Sequence, residues 1–372
     1  MIETVLAVDI GTTSLKAGLI TAAGEVVSFS KYKFIDPNDR FIASKWYDAL
    51  RISLNKMRQQ LKALNITGSD RLCIKAVGIS GNGPTVVSKS GMTLRWNENY
   101  EIDKTYVEKS LFLPKIIAFK DLFPQEFEKS QYIFSGPEYL IYELTGKAVT
   151  VLPEDRFISA YWTNEQLENL KIPVEKLPEF IGLGKKIGNL TEKTIFDYKL
   201  KDFALEEIPV FSCGPDFTAA LVGTGTLSPG RICDRSGSSE GFNFCIDRPV
   251  PCQGLRLLPS VVPGLWNISA LLSTSSKLSE NKRLEKVYQC MEKLRAYAKE
   301  NNFYFPASMT VTGGQTMNKS WMSKKAHKLN IKLEVCKFSN SELLGDACAA
   351  WYGLGKFNSL QEAADIIVVK DE

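Results

Sequence analysis

The feature that most constrains this chain is a short pattern that occurs twice. An apolar run, Leu6–Asp9, meets the Gly-hydroxyl turn Gly11-Thr12-Thr13 and returns as Leu15–Ile20; later Gly230–Asp234 meets Gly237-Ser238-Ser239 and returns as Glu240–Ile246. Apolar, β-prone runs on both sides of a tight Gly turn predict hairpins. Each hairpin is followed by a long segment of helical period. Trp46–Leu64 carries Leu50, Leu54, Met57, Leu61 and Leu64 at spacings of three and four, and Ser279–Asn301 carries Leu284, Val287, Tyr288, Met291, Leu294 and Ala298 on one face. The chain therefore reads as two α/β copies with a cleft between them.

Between and after these signals the reading is coarser. Glu25–Lys33 extends the first hairpin into a meander, and Cys73–Ser80 is a strand stopped by Gly81-Asn82-Gly83-Pro84. From Leu111 to Asn164 the pattern is mostly helical, with Pro114, Pro124 and Pro137 near helix starts. Ile208–Ser212 is a short buried strand, Asp216–Val222 a small-residue helix or turn, and Gly223-Thr224-Gly225-Thr226 either a hinge or a surface turn. Met309–Thr312 is a strand running into Gly313-Gly314, followed by a helix from Asn318, a strand at Ile331–Cys336 and a helix capped by Ser341.

Composition narrows the chemistry. A length of 372 residues suits about two domains, and a net charge of +4 without a basic run gives no footprint for nucleic acid or an anionic membrane. The single histidine, His327, lies in the helical run Trp321–Leu329 and reads as a surface residue, so multi-histidine metal sites are excluded. Eight cysteines without a Cys-x-x-Cys pair read as reduced, buried thiols. Neither a signal-type N-terminus nor an apolar run of membrane-spanning length is evident, so the expected location is cytoplasmic.

Four segments carry donors and acceptors suited to phosphate chemistry. Asp9 precedes Gly11, Thr12, Thr13 and Lys16; backbone amides and hydroxyls there suit a polyphosphate and the carboxylate suits its Mg²⁺, while a plain exposed hairpin tip is the competing reading. Asp216, after Cys213-Gly214-Pro215, is either a general base or the N-cap of the following helix. Gly237, Ser238 and Ser239 form a second turn that could hold a phosphoryl group from the other side. Gly313 and Gly314 expose bare backbone between a strand and a helix, as a nucleotide site needs and as an ordinary connection also has.

The order of these four segments resembles that of the FGGY carbohydrate kinases. Val77–Gly81, Trp96-Asn97-Glu98, Tyr139–Gly146 and Glu342–Ala347 resemble further stretches of the same family, so the likeness spans nearly the whole chain. The resemblance implies a duplicated actin/hexokinase-like (ribonuclease H-like) ATPase fold, with an N-terminal domain over 1–226 and a shortened C-terminal domain over 227–372. It implies ATP and Mg²⁺ as cofactors: Asp9 on the metal, Gly11, Thr12, Thr13 and Lys16 around the terminal phosphates, and Gly237, Ser238 and Ser239 opposite them. Gly313, Gly314 and Asn318 would border the adenosine, Asp216 would be the base, and Gly81, Asn82, Trp96 and Asp216 would meet a sugar or polyol. A homodimer is compatible with it; nucleic acid and membrane are not among its partners.

Two departures stand out. Gly81-Asn82-Gly83-Pro84 replaces the longer side chains (an Arg-Glu or Met-His pair) found in family members, so the acceptor is not identified. The segment between Gly237 and Gly313 is also short, leaving a smaller nucleotide wall. The expected activity is ATP-dependent phosphorylation of a sugar or polyol hydroxyl. The alternatives are an inactive homologue that senses sugar or nucleotide, and a hydrolytic ATPase. Phe112, Glu98 and Lys115 read as structural or surface residues.

Overall fold

The computed structural model describes residues 1–66, 71–100, 110–203, 207–237, 240–272, 275 and 278–371. Strands β1 (Ile2–Ile10), β2 (Ser14–Ile20) and β3 (Val26–Lys33) form an antiparallel meander, and helix α1 (Trp46–Ala63) crosses to β4 (Leu72–Gly81), parallel to β1. Short elements follow: β5 (Val86–Ser88), β6 (Thr93–Leu94), α2 (Leu113–Leu122), α3 (Pro124–Lys129), β7 (Ile133–Phe134), α4 (Glu138–Thr145), β8 (Thr150–Leu152), α5 (Asn164–Asn169), β9 (Phe180–Gly182), β10 (Gly188–Asn189) and α6 (Glu192–Asp197). Strand β11 (Pro209–Pro215) pairs parallel with β4 and runs into α7 (Asp216–Val222). The second meander comprises β12 (Ile232–Ser236), β13 (Glu240–Ile246), β14 (Arg256–Pro259) and β15 (Trp266–Leu272). Then come α8 (Glu280–Glu300), β16 (Ser308–Thr312), α9 (Lys319–Leu329), β17 (Lys332–Val335), α10 (Ser341–Gly353) and α11 (Leu360–Ile367).

Two six-stranded sheets result, ordered β10-β11-β4-β1-β2-β3 and β14-β15-β13-β12-β16-β17. Without the edge strands β10 and β14 they match position for position. In each, a three-strand antiparallel meander is extended by two parallel strands reached through crossovers. The duplication that the two hairpins suggested is therefore present in the topology.

Burial on both faces explains why β1 is apolar throughout. Alternation sends Leu6, Val8 and Ile10 toward the Leu50, Leu54, Met57 and Leu61 stripe of α1, while Val5 and Ala7 pack with Leu343, Leu344 and Ala347 of α10. Although α10 lies late in the chain, it covers the first sheet and crosses α7 closely. The would-be Cβ of Gly345 lies 1.9 Å from the Ala219 carbonyl oxygen, and that of Gly223 lies 1.8 Å from the Ser341 carbonyl oxygen, so neither site admits a side chain. The second sheet packs Ile232, Phe242, Phe244 and Ile268 against Val287, Met291 and Leu294 of α8. No helix among the described residues is long and apolar enough to cross a membrane.

Several local expectations are corrected. Gly223–Thr226 is not a surface turn: all four residues are buried beside α10. Asn340, not Ser341, precedes the first turn of α10. The 111–164 stretch includes the strands β7 and β8 among its helices, because side chains such as Phe134 and Val151 complete the core below the first sheet. Pro114 and Pro124 do stand at helix starts, and Pro137 immediately precedes α4. His327 is exposed as expected, but Lys325 on the same helix is fully buried.

Candidate active site

The first hairpin tip is shaped by its backbone. The Gly11 amide donates to the Ser14 carbonyl at 2.9 Å, closing the turn and leaving Thr13 exposed. Asp9 shares the α10 face of β1 with Val5 and Ala7, which buries its carboxylate, and it stands directly opposite Lys16 on β2. Lys16 Nζ donates to Asp9 Oδ2 at 2.9 Å, whereas the buried Oδ1 has no partner among the described residues. Burial pushes the Asp9 carboxyl above its ordinary range, and the Lys16 ammonium pulls it back.

Beside the tip, β4 ends against β1. Gly81 permits the approach, since a Cβ there would lie 2.9 Å from that of Ile10, and the Asn82 amide N–H donates to the Ile10 carbonyl at 2.9 Å. The side-chain amide orientation of Asn82 that satisfies both its ends accepts from the Thr12 amide at 2.6 Å and donates to Asp216 Oδ2 at 3.1 Å. The Trp96 indole N–H donates to Thr12 Oγ1 at 3.0 Å while 46% of that residue stays exposed. Trp96, Thr12, Asn82 and Asp216 thus form one hydrogen-bonded chain.

Asp216 is the first residue of α7, Pro215 holds the cap position, and the Phe217 amide donates to the Asp216 carboxylate. Asp216 therefore stands one residue inside the helix rather than at the cap position itself. Its pKa is raised to about 7, mainly by burial; Arg235 opposes the shift, while Asp9 and Glu342 add to it. The Asp9 carboxylate is thus close enough to raise the pKa of Asp216.

The second hairpin tip adjoins the double-Gly turn. Gly237 donates its amide to the Arg235 carbonyl at 3.1 Å and accepts from Gln315 Nε2 at 2.8 Å. Ser238 and Ser239 lie outside the described residues. Gly313 adopts φ +98°, and a Cβ there would lie 2.5 Å from the Ser236 carbonyl oxygen, so only glycine lets the two turns touch. Gly314 has open space beside it. Asn318 has a structural job, its side-chain oxygen capping α9 by accepting from the Trp321 amide at 3.0 Å.

Four charged groups were not singled out as site residues from sequence. Arg235 on β12 and Lys16 on β2 each approach the Glu342 carboxylate of α10, both at 3.9 Å, so one carboxylate bridges cations from the two hairpins. Asp346, one turn further along α10, accepts from Ser80 Oγ at 2.8 Å, and burial holds its carboxyl well above the ordinary range. Lys325 of α9 lies under the second tip, donating to Asp234, Glu240 and Ser236. Glu98 is taken up by Arg40 and Arg95, and Lys115 Nζ donates to the carbonyls of Arg95 and Glu98, so both are structural. Among the described residues no three acidic, His or Cys side chains converge as a metal cluster. A Mg²⁺ carried on a polyphosphate needs fewer protein ligands, and the unpartnered Asp9 Oδ1 fits that need.

No family model matches the chain. Its sequence relatives are carbohydrate kinases. It is 27% identical to the xylulose kinase of Staphylococcus xylosus over 232 residues, covering 51% of this chain and 45% of that protein. It is 20% identical to the xylulose kinase of Staphylococcus epidermidis, covering 100% and 92%. In the first of these, as in the xylulose kinases of Bacillus subtilis and Lactococcus lactis, the match spans about half the length of the relative. Among solved structures, xylulose kinase from Rhodospirillum rubrum superposes with a TM-score of 0.76 at 15% identity, covering 99% of this chain and 93% of that one. Plasmodium falciparum glycerol kinase with ADP superposes with a TM-score of 0.77 at 15% identity, covering 100% and 93%. The fold is thus the duplicated actin/hexokinase-like one, and the likeness to the FGGY carbohydrate kinases read from motif order is borne out.

Proposed function

We propose, for a chain whose fold and sequence relatives are those of the FGGY carbohydrate kinases, that it transfers the terminal phosphoryl group of ATP to a hydroxyl of a sugar or polyol. The observation that carries this reading is the Trp96–Thr12–Asn82–Asp216 chain, which ties a partly exposed aromatic face and a carboxylate to the first hairpin tip. Residues 1–226 and 227–372 form the two lobes of this reading, with the donor between their tips.

The roles follow from chemistry. An acceptor hydroxyl lying on Trp96 comes within reach of Asp216, which takes its proton as the hydroxyl oxygen bonds to phosphorus and the bond to the ADP oxygen breaks. A base with a pKa near 7 is half ionised at neutral pH, which suits it to accept that proton. Gly11 and Thr12 shape the first tip, their amides being held by Ser14 and Asn82, so that the exposed Thr13 offers its amide and hydroxyl to the phosphates and Lys16 adds charge. Gly237, Ser238 and Ser239 would face them from the other lobe. Gly313 and Gly314 offer backbone to the adenosine side. Asp9 Oδ1 would hold Mg²⁺, which when bound neutralises phosphate charge. Closure of the cleft excludes water, the competing acceptor.

The test is ADP release with MgATP and a panel containing D-xylulose, glycerol, gluconate and L-fuculose, repeated with Asp216→Asn. Acceptor-dependent ADP release in the wild type, lost in the variant while MgADP binding by calorimetry persists, is the expected result. Nucleotide binding without ADP release across the panel would move the reading to a sensor. Phosphate release without any acceptor would move it to a hydrolase.

A further inference from the structure

Matching the two sheets strand for strand sets β12 against β1. Arg235 stands two residues before Gly237, as Asp9 stands two residues before Gly11. The duplicated hairpins therefore place opposite charges at equivalent positions on either side of the cleft.

Strand alternation fixes where Arg235 can point. Its neighbours Asp234 and Ser236 both meet the buried Lys325 on one face of the second sheet, so Arg235 projects from the other, toward α10 and the first hairpin. There its Nη2 is 3.9 Å from Glu342 Oε1, longer than a hydrogen bond, and its buried Nε has no partner among the described residues. Lys16, the cation facing it, is already committed to Asp9 at 2.9 Å. Arg235 thus has donors to spare, and its charge also reaches Asp216 and Asp9.

Resting on the phosphoryl-transfer reading above, we propose that Arg235 is a further catalytic residue, whose guanidinium leaves Glu342 to donate to the non-bridging oxygens of the phosphoryl group in flight. The group passes from the ADP oxygen to the acceptor oxygen while the acceptor proton goes to Asp216. Arg235 neither gains nor loses a proton; its planar fork matches the oxygens on which charge spreads. Glu342 holds the fork across the cleft until the donor arrives.

Arg235→Ala and Arg235→Lys are assayed for acceptor-dependent ADP release beside the wild type, with MgADP affinity measured by calorimetry. In Arg235→Ala, kcat is expected to fall about 10²- to 10³-fold, the loss typical of one transition-state donor. MgADP, which lacks the transferred group, is expected to bind within about threefold of wild type, a factor worth under 1 kcal/mol. Added guanidinium ion should restore part of the activity of Arg235→Ala and none of that of Asp216→Asn, which a folding defect would not do. Arg235→Lys should fall between wild type and Arg235→Ala, keeping the charge without the fork. A kcat close to wild type in Arg235→Ala, or MgADP affinity falling in step with kcat, overturns this role while leaving the kinase reading intact. A wild-type protein with no acceptor-dependent turnover overturns both.

Discussion

Replacing Lys325 by methionine removes the cation from a site closed to solvent, where it donates to Asp234, Glu240 and Ser236 beneath the second hairpin tip. Methionine keeps the length of the side chain, so the change is chiefly electrostatic. Breaking a buried ion pair by removing one partner costs about 3–5 kcal/mol, because the remaining charges lose their compensation. For a unit the size of the second half of this chain, that lowers Tm by on the order of 10 °C. The pH dependence is the sharper signature. Burial already raises the Asp234 carboxyl to about 7 despite Lys325 beside it, so without the cation it rises further. A carboxyl whose folded pKa exceeds its unfolded value binds its proton more tightly when folded, so stability falls as pH rises between the two values. The deficit of Lys325→Met relative to wild type should be largest at pH 8 and should narrow toward pH 5. Thermal melts followed by circular dichroism at both pH values measure this directly. Adding Asp234→Asn and Glu240→Gln to Lys325→Met should restore most of the loss, since no buried charge remains. A deficit under about 1 kcal/mol at pH 8, or one that does not change with pH, would show that these groups do not form a coupled buried network.

Two further outcomes are expected. Because Asp216 must be ionised to accept a proton and its pKa is raised to about 7, kcat/KM should fall on the acid side with a midpoint near 7; an acid limb below about 5 would assign the base elsewhere. Gly345→Ala places a Cβ 1.9 Å from the Ala219 carbonyl oxygen, so the α7–α10 crossing must open, at a cost at or above the upper end of the ~1–3 kcal/mol of overpacking; chemical denaturation matching wild type would refute the contact.

The two hairpins were legible because each is local: apolar runs and a tight turn are written within about twenty residues. The order of glycine turns along the chain was legible for the same reason. Lys325 was not, because in Ser323-Lys324-Lys325 it looks like a solvated helix face, and its partners lie 91 and 85 positions away. Arg235 escaped notice likewise, and Glu342 was read only as part of a family-like helix, since neither belongs to a glycine turn and their meeting depends on α10 folding back over the first sheet. Asp216 was ambiguous between cap and base, for both readings put an acid at a helix start; the structure gives the cap position to Pro215. Strands β14 and β15 were missed because they extend the second meander through a region without a hairpin signal as compact as the Gly11 or Gly237 turns.

The crossing of α7 and α10 has a mechanical consequence. Where main chain rests directly on main chain, no rotamer can yield and no methyl group can be displaced, so the contact behaves as a stiff fulcrum. Gly223 is itself part of that contact, so any motion about it must be absorbed in backbone outside the crossing.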